Sequence, residues 1–115
     1  MRECQDASAP IISGRGASAG VAIGTIAIFN QEESQDFHQN TILVSEFIPP
    51  TIQSLHDNII GIITAEGGIL SHAACISREL GIPCIVGAKD ALDILTEGQK
   101  VRIDGEKGEI YEIYT

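Results

Sequence analysis

The stretch from Asn58 to Gly87 constrains this 115-residue chain more than any other part, because it sets out a strand, a turn, a helix and a second strand in order. Asn58–Thr64 is a short run rich in isoleucine and reads as a buried strand, while Ala73–Leu80 has helical composition. Ser71, just before that helix, is a good N-cap residue, and Gly81 followed by Pro83 supplies a stop. Leu70 and Cys75 fall at the two staple positions that fix the chain's entry angle. Cys84–Val86 then reads as a short buried strand. Between the first strand and the helix stand Gly67 and Gly68, where positive φ is allowed and no side chain obstructs an incoming group.

These boundaries put His72 in the first turn of the helix. Free N–H groups and the positive end of the helix dipole there favour a phosphoryl anion. A helix N-terminus also disfavours an imidazolium, which leaves a ring neutral and nucleophilic near neutral pH. A neutral ring nitrogen attacks phosphorus, and the phosphoimidazole formed carries negative charge that the loop amides and helix end stabilise. One geometry therefore serves both states of the residue. A lone histidine at a helix start is more often a cap or a surface residue. The double glycine, the Ser71-His72 step and the Gly81-Ile82-Pro83 ending shift the reading toward phosphate chemistry.

Elsewhere the pattern predicts strands at Ile11–Arg15, Val21–Asn30 and Thr41–Ser45, with a frayed lead-in over residues 1–10 and one domain over residues 11–115. Residues 31–40 form a polar excursion and read as a solvated loop. Pro49-Pro50-Thr51 should open a short helix through His56. Asp90–Leu95 suggests one to two helical turns, and Val101–Asp104 with Glu109–Ile113 a hairpin around Gly105 and Gly108. The expectation is a single α/β domain with two layers of sheet and a few helices.

Composition bounds what such a domain does alone. The length suffices for one modest core, and no Gly-x-x-x-x-Gly-Lys loop is present to hold a nucleotide. Seven basic against sixteen acidic residues give a net charge of −9, which argues against nucleic acid or an anionic membrane as partner. Cysteines at 4, 75 and 84 are odd in number and form no Cys-x-x-Cys pair, so a disulfide framework is not expected and a reducing cytoplasm fits. No apolar run approaches the ~20 residues of a spanning helix. His38 and His56 lack neighbours at ligand spacing, so no metal site is expected. Arg78, six residues past His72, lies about 240° further round the helix and is expected to make a structural ion pair.

The series Gly67-Gly68-x-x-Ser71-His72-x-Ala74-x-x-x-Arg78-x-x-Gly81-Ile82-Pro83-x-x-Val86-Gly87 resembles the phosphohistidine signature of the phosphoenolpyruvate-utilising enzymes. That family includes pyruvate phosphate dikinase, phosphoenolpyruvate synthase, the first enzyme of the sugar phosphotransferase system and rifampicin phosphotransferase. Gly16-Ala-Ser-Ala-Gly-Val-Ala-Ile-Gly24 is similar to the glycine-punctuated opening of the same mobile domain. The resemblance implies a swivelling β/β/α unit in which His72 accepts the phosphoryl group. It also implies that Thr64, Gly67, Gly68 and Ser71 surround the histidine, and that Thr51 matches a threonine that contacts the ring.

By the same resemblance the chain is a component of a phosphotransferase. The nucleotide-binding and phosphoenolpyruvate- or pyruvate-binding domains would be supplied in trans or by a longer parent chain, and Mg²⁺ would act at those partner sites. Leu70 stands where many members carry threonine, a regulatory phosphorylation site in plant dikinases, so that control is expected to be absent. Cys75 and Cys84 occupy usually small or aliphatic positions, which suits buried thiols, and Ser77 replaces a common alanine. Two other readings stand beside this one. The first is a non-catalytic regulatory or interaction module with the same fold. The second is a dehydratase small subunit of the aconitase-related type, which shares the swivelling architecture.

Overall fold

The computed structural model describes residues 5–6, 9–29, 38–48 and 57–114. Its elements, in chain order, are β1 (Gln5–Asp6), β2 (Ile12–Ser13), β3 (Arg15–Ser18), β4 (Val21–Ile28), β5 (Thr41–Ser45), β6 (Ile59–Thr64), α1 (His72–Leu80), β7 (Cys84–Val86), α2 (Ala91–Ile94), β8 (Lys100–Asp104) and β9 (Glu109–Tyr114). Gln5–Asp6, within the stretch expected to fray, pairs antiparallel with β9.

The strands run in the order β1-β9-β8-β4-β5-β6-β7-β3. Neighbours from β4 to β7 are parallel, and β3, β8 and β9 join antiparallel. The ends of this path meet. β3 pairs with β7 at one edge, while β2, separated from β3 by Gly14 alone, pairs with β9 at the other. The expected strand Ile11–Arg15 is thus two strands with different partners, joined where the Gly14 N–H bonds the Gly108 carbonyl at 2.7 Å. The two expected sheet layers are opposite walls of one curled sheet. Close backbone approach at the seam requires a missing side chain, since a Cβ on Gly105 would lie 2.0 Å from the Ser18 carbonyl oxygen.

Strand alternation sorts the apolar residues into two cores. Ile42, Val44, Ile63, Ile85, Val101, Ile103 and Ile110 form one core together with Ala91 and Leu95. Leu43, Ile62, Cys84 and Val86 point outward and are covered by Ala73, Ala74 and Ile76 of α1. Each fully buried branched aliphatic side chain here contributes roughly 1.5–3 kcal/mol by leaving water. A register shift between Thr41 and Ile42 in the β5–β6 pairing lets β6 keep both sets of contacts although its sequence is almost uninterrupted isoleucine.

The strand, hairpin and short-helix expectations from Thr41 onward match the elements within a residue or two at their ends. The helix expected from Pro49 through His56 lies outside the described residues.

Candidate functional site

Thr64 ends β6 at the point where the parallel strands stop, which is where open α/β sheets bind ligands. Its hydroxyl donates to the Glu66 carbonyl at 2.7 Å and closes the turn out of the strand. Pairing continues past the strand ends, with the Ala65 and Glu66 N–H groups bonded to the Ser45 and Glu46 carbonyls at 3.0 and 2.9 Å. Gly67 then takes φ +101, a conformation L side chains rarely adopt. Gly68 does not share that need, and a Cβ built on it meets nothing within 4 Å. Of the two conformational freedoms expected of the pair, Gly67 uses the positive φ and Gly68 leaves the space beside the loop open.

The Ser71 N–H bonds the Gly68 carbonyl at 2.9 Å and folds the loop into the helix. Ser71 has extended dihedrals (φ −67, ψ 163), and its hydroxyl accepts from the Ala74 N–H at a long 3.4 Å. This is the expected N-cap, and it makes His72 the first helical residue. Gly81 ends α1 in the left-handed conformation (φ 72, ψ 28), as its position predicts. His72 is half-buried and lines a cleft of about 220 Å³ with Phe47, Ile48, Thr64, Gly67 and Ser71.

Of the residues expected at the site, Thr64, Gly67, Ser71 and His72 therefore meet around one cleft, and Gly68 lies in the adjoining loop. Thr51 lies outside the described residues. Phe47 and Ile48, which supply the facing wall, gave no signal in the sequence. Glu66, which also lines the cleft, adjoined the double glycine and was open to being noticed. Its carboxyl is held above the ordinary range, first by a hydrogen bond with the Glu46 carboxyl and then by repulsion from that like charge.

Three expectations require correction. Leu70 and Cys75 do not form a buried staple, because Leu70 is 85% exposed and Cys75 is exposed as well. Of the two described cysteines only Cys84 is a buried thiol, and burial pushes it up to about 11, opposed by the Ser77 hydroxyl and the Arg78 charge. Arg78's hydrogen bonds among the described residues go to two backbone carbonyls, those of Ala17 (2.8 Å) and Ile69, rather than to a carboxylate. Through its bond to Ile69 the fork reaches the loop that leads into His72.

Among the described residues no three His, Cys, Asp or Glu side chains gather as a metal-ion site, and no helix is long and apolar enough to cross a membrane. What the arrangement offers is a histidine at a helix start, above a glycine loop, beside a cleft open to a second molecule.

The family model described as the PEP-utilising enzyme mobile domain matches residues 37–108, more than half of the chain. The chain belongs to that family. A probable phosphoenolpyruvate synthase of Methanothermobacter thermautotrophicus is 44% identical over 89% of this chain and 15% of that relative. The chain spans between 11% and 15% of the length of eight curated relatives that it matches. The solution structure of Enzyme I superposes with a TM-score of 0.55 at 26% identity, over 65% of this chain and 31% of that one. Aconitase X of Thermococcus kodakaraensis, at 22% identity and a TM-score of 0.65, covers 90% of this chain and 98% of its own, and shares the fold alone. A phosphotransfer-related role follows from the family, and the aconitase-related reading is not favoured.

Proposed function

We propose that this mobile domain is a phosphoryl carrier in which His72 is transiently phosphorylated. It would shuttle the group between a nucleotide or phosphoenolpyruvate site and an acceptor site, both on partner domains or chains. The observation that carries the reading is the Ser71-capped helix start, which sets His72 above Gly67 and beside the cleft. A ring nitrogen lone pair forms the N–P bond as the donor's P–O bond breaks, and the leaving oxygen keeps the bonding electrons. The reverse displacement hands phosphorus to an oxygen of the acceptor. Positioning and charge stabilisation carry most of such a transfer, and the helix end with its loop amides supplies both.

The partner domains would resemble the remainder of a phosphoenolpyruvate synthase, which the relatives' greater length supports. By the family resemblance Mg²⁺ would act at those partner sites, and no step of the carrier is routed through the metal. Gly67, Gly68 and Ser71 would receive the phosphate, with Thr64 and Thr51 in support. The reducing cytoplasm is the setting this chemistry proposes.

The test is intact-mass measurement at alkaline pH, where phosphohistidine survives, after incubation with Mg²⁺ and either phosphoenolpyruvate or ATP plus an extract of the source cells. One added phosphate that is lost in acid and absent from His72→Ala is the expected result. Its absence with every donor, in an extract shown to be competent, would refute the carrier and favour a non-catalytic module.

A further inference from the structure

The Arg78 side chain links strand β3 to the loop that leads into His72. Strand β3 pairs Gly16 with Ile85 and then Ser18 with Cys84, so Ala17 is skipped in the ladder as a bulged residue. The Ala17 carbonyl accepts from Arg78 Nε at 2.8 Å, and Arg78 Nη2 donates to the carbonyl of Ile69. The rigid guanidinium fork therefore spans from the bulge to the crest of the loop that leads into His72.

That crest is open to solvent. Ile69 is 44% exposed, Leu70 is 85% exposed, and Gly68 faces open space. Within the loop the Ser71 N–H bonds the Gly68 carbonyl, and the Cys75 thiol reaches the Leu70 carbonyl only at 4.0 Å.

We propose that Arg78 is a positioning residue for phosphoryl transfer, bracing the loop 67–71 against the β3 bulge so that its amides keep a fixed orientation around His72. The inference rests on the carrier reading of His72 and assigns to Arg78 no contact with the phosphate. A brace of this kind acts through preorganisation, because small misplacement of stabilising groups is costly in rate. Lysine keeps the charge but has no planar fork to hold two carbonyls in fixed directions. Glutamine keeps a donor and loses the charge.

The experiment compares Arg78→Lys and Arg78→Gln with the unaltered chain in two measurements. Backbone ¹⁵N order parameters of residues 67–71, taken without phosphate, read the brace directly. Phosphorylation by phosphoramidate, followed by intact mass at alkaline pH, reads its effect on His72, where an N–P bond forms as ammonia leaves. The expected result is a folded Arg78→Lys protein whose loop order parameters fall from about 0.85 to below about 0.6. Its phosphorylation rate falls at least tenfold, and Arg78→Gln shows the larger loss.

A purely structural role would instead lower the melting temperature and leave both readouts within twofold in the variants that fold, which overturns the proposal. Failure of both variants to fold also overturns it, since Arg78 is then a folding residue. If the unaltered chain takes no phosphate from phosphoramidate, the phosphorylation rate is read with phosphoenolpyruvate or ATP and the competent extract instead. The order parameters still decide whether Arg78 braces the loop.

Discussion

Replacing Gly67 with alanine separates the demands of the loop from those of the helix cap. The residue sits at φ +101, and forcing a side chain into such a region costs of order 1–3 kcal/mol. The added methyl would also lie 3.2 Å from Ser71 Cβ and 3.4 Å from Ser71 Oγ, the oxygen that caps α1. Displacing that oxygen forfeits part of a cap worth about 1 kcal/mol. The sum is roughly 2–4 kcal/mol. For 115 residues, at ~2.1 cal/mol/K of unfolding entropy per residue, each kcal/mol lowers the melting temperature by about 4 °C. Gly67→Ala should therefore melt ~8–16 °C below the parent. Gly68→Ala is the internal control, since its methyl meets nothing within 4 Å and its φ is not in the left-handed region. It should change stability little, or raise it by up to ~1 kcal/mol through the unfolded chain. Melting followed by far-ultraviolet circular dichroism, with urea titration for free energies, measures both. Equal effects at the two glycines, or a Gly67→Ala protein within about 0.5 kcal/mol of the parent, would refute the reasoning.

Gly68→Val should fold normally yet take up phosphate more slowly, because its side chain enters the open space beside the His72 loop; unchanged phosphorylation kinetics would reduce Gly68 to a spacer. Ser71→Ala should cost only about 0.5–1 kcal/mol, the low end for a cap, because the capping bond is 3.4 Å long; a loss above ~2 kcal/mol in urea titration contradicts that. A thiol reagent near neutral pH should modify exposed Cys75 in the native protein and reach Cys84 only after unfolding, as peptide mapping would show. The Cys84 thiol, raised from 9.0 to about 11, retains in the folded state a proton the unfolded chain sheds above pH 9. Stability from this group is thus intact below pH 9 and declines as pH rises through 11, by up to ~3 kcal/mol, and urea midpoints of Cys84→Ala should lack that component.

How much of this was legible in the residues depended on whether the cause was local. Ser71, Gly81 and Pro83 bracket α1 through contacts within a few residues, and the helix begins and ends where they predict. The alternation of Val21–Ile28 and the hairpin of β8 and β9 are equally local, and both were readable. The parting of β2 from β3 was not, since it depends on β9 and β7, which lie about 70 or more residues further along the chain. The facing wall of the cleft was hidden for the same reason, because Phe47 and Ile48 reach His72 only through the parallel pairing of β5 with β6. The partner of Arg78 was illegible, because a carbonyl freed by a bulge 61 residues earlier has no signature in composition. The buried staple failed because it assumed that two apolar residues at the right spacing would pack, whereas the loop crest is held by polar bonds and leaves Leu70 in solvent.

The glycine-punctuated segment near the start and the histidine motif further on are coupled by this geometry. Gly105 lies close enough to the Ser18 carbonyl to bring the β8–β9 turn onto β3, and the same strand bulges at Ala17 to face Arg78. The seam that closes the sheet and the brace on the histidine loop thus share three consecutive residues of β3, Gly16 to Ser18. A change that shifts this strand should move the Ile69 carbonyl's anchor without touching His72. The cap at Ser71 belongs to α1 and is independent of that anchor. Damage to the seam should therefore disorder the loop before it disturbs the helix start, whereas damage to the cap should fray the helix and leave the brace between Arg78 and Ala17 in place.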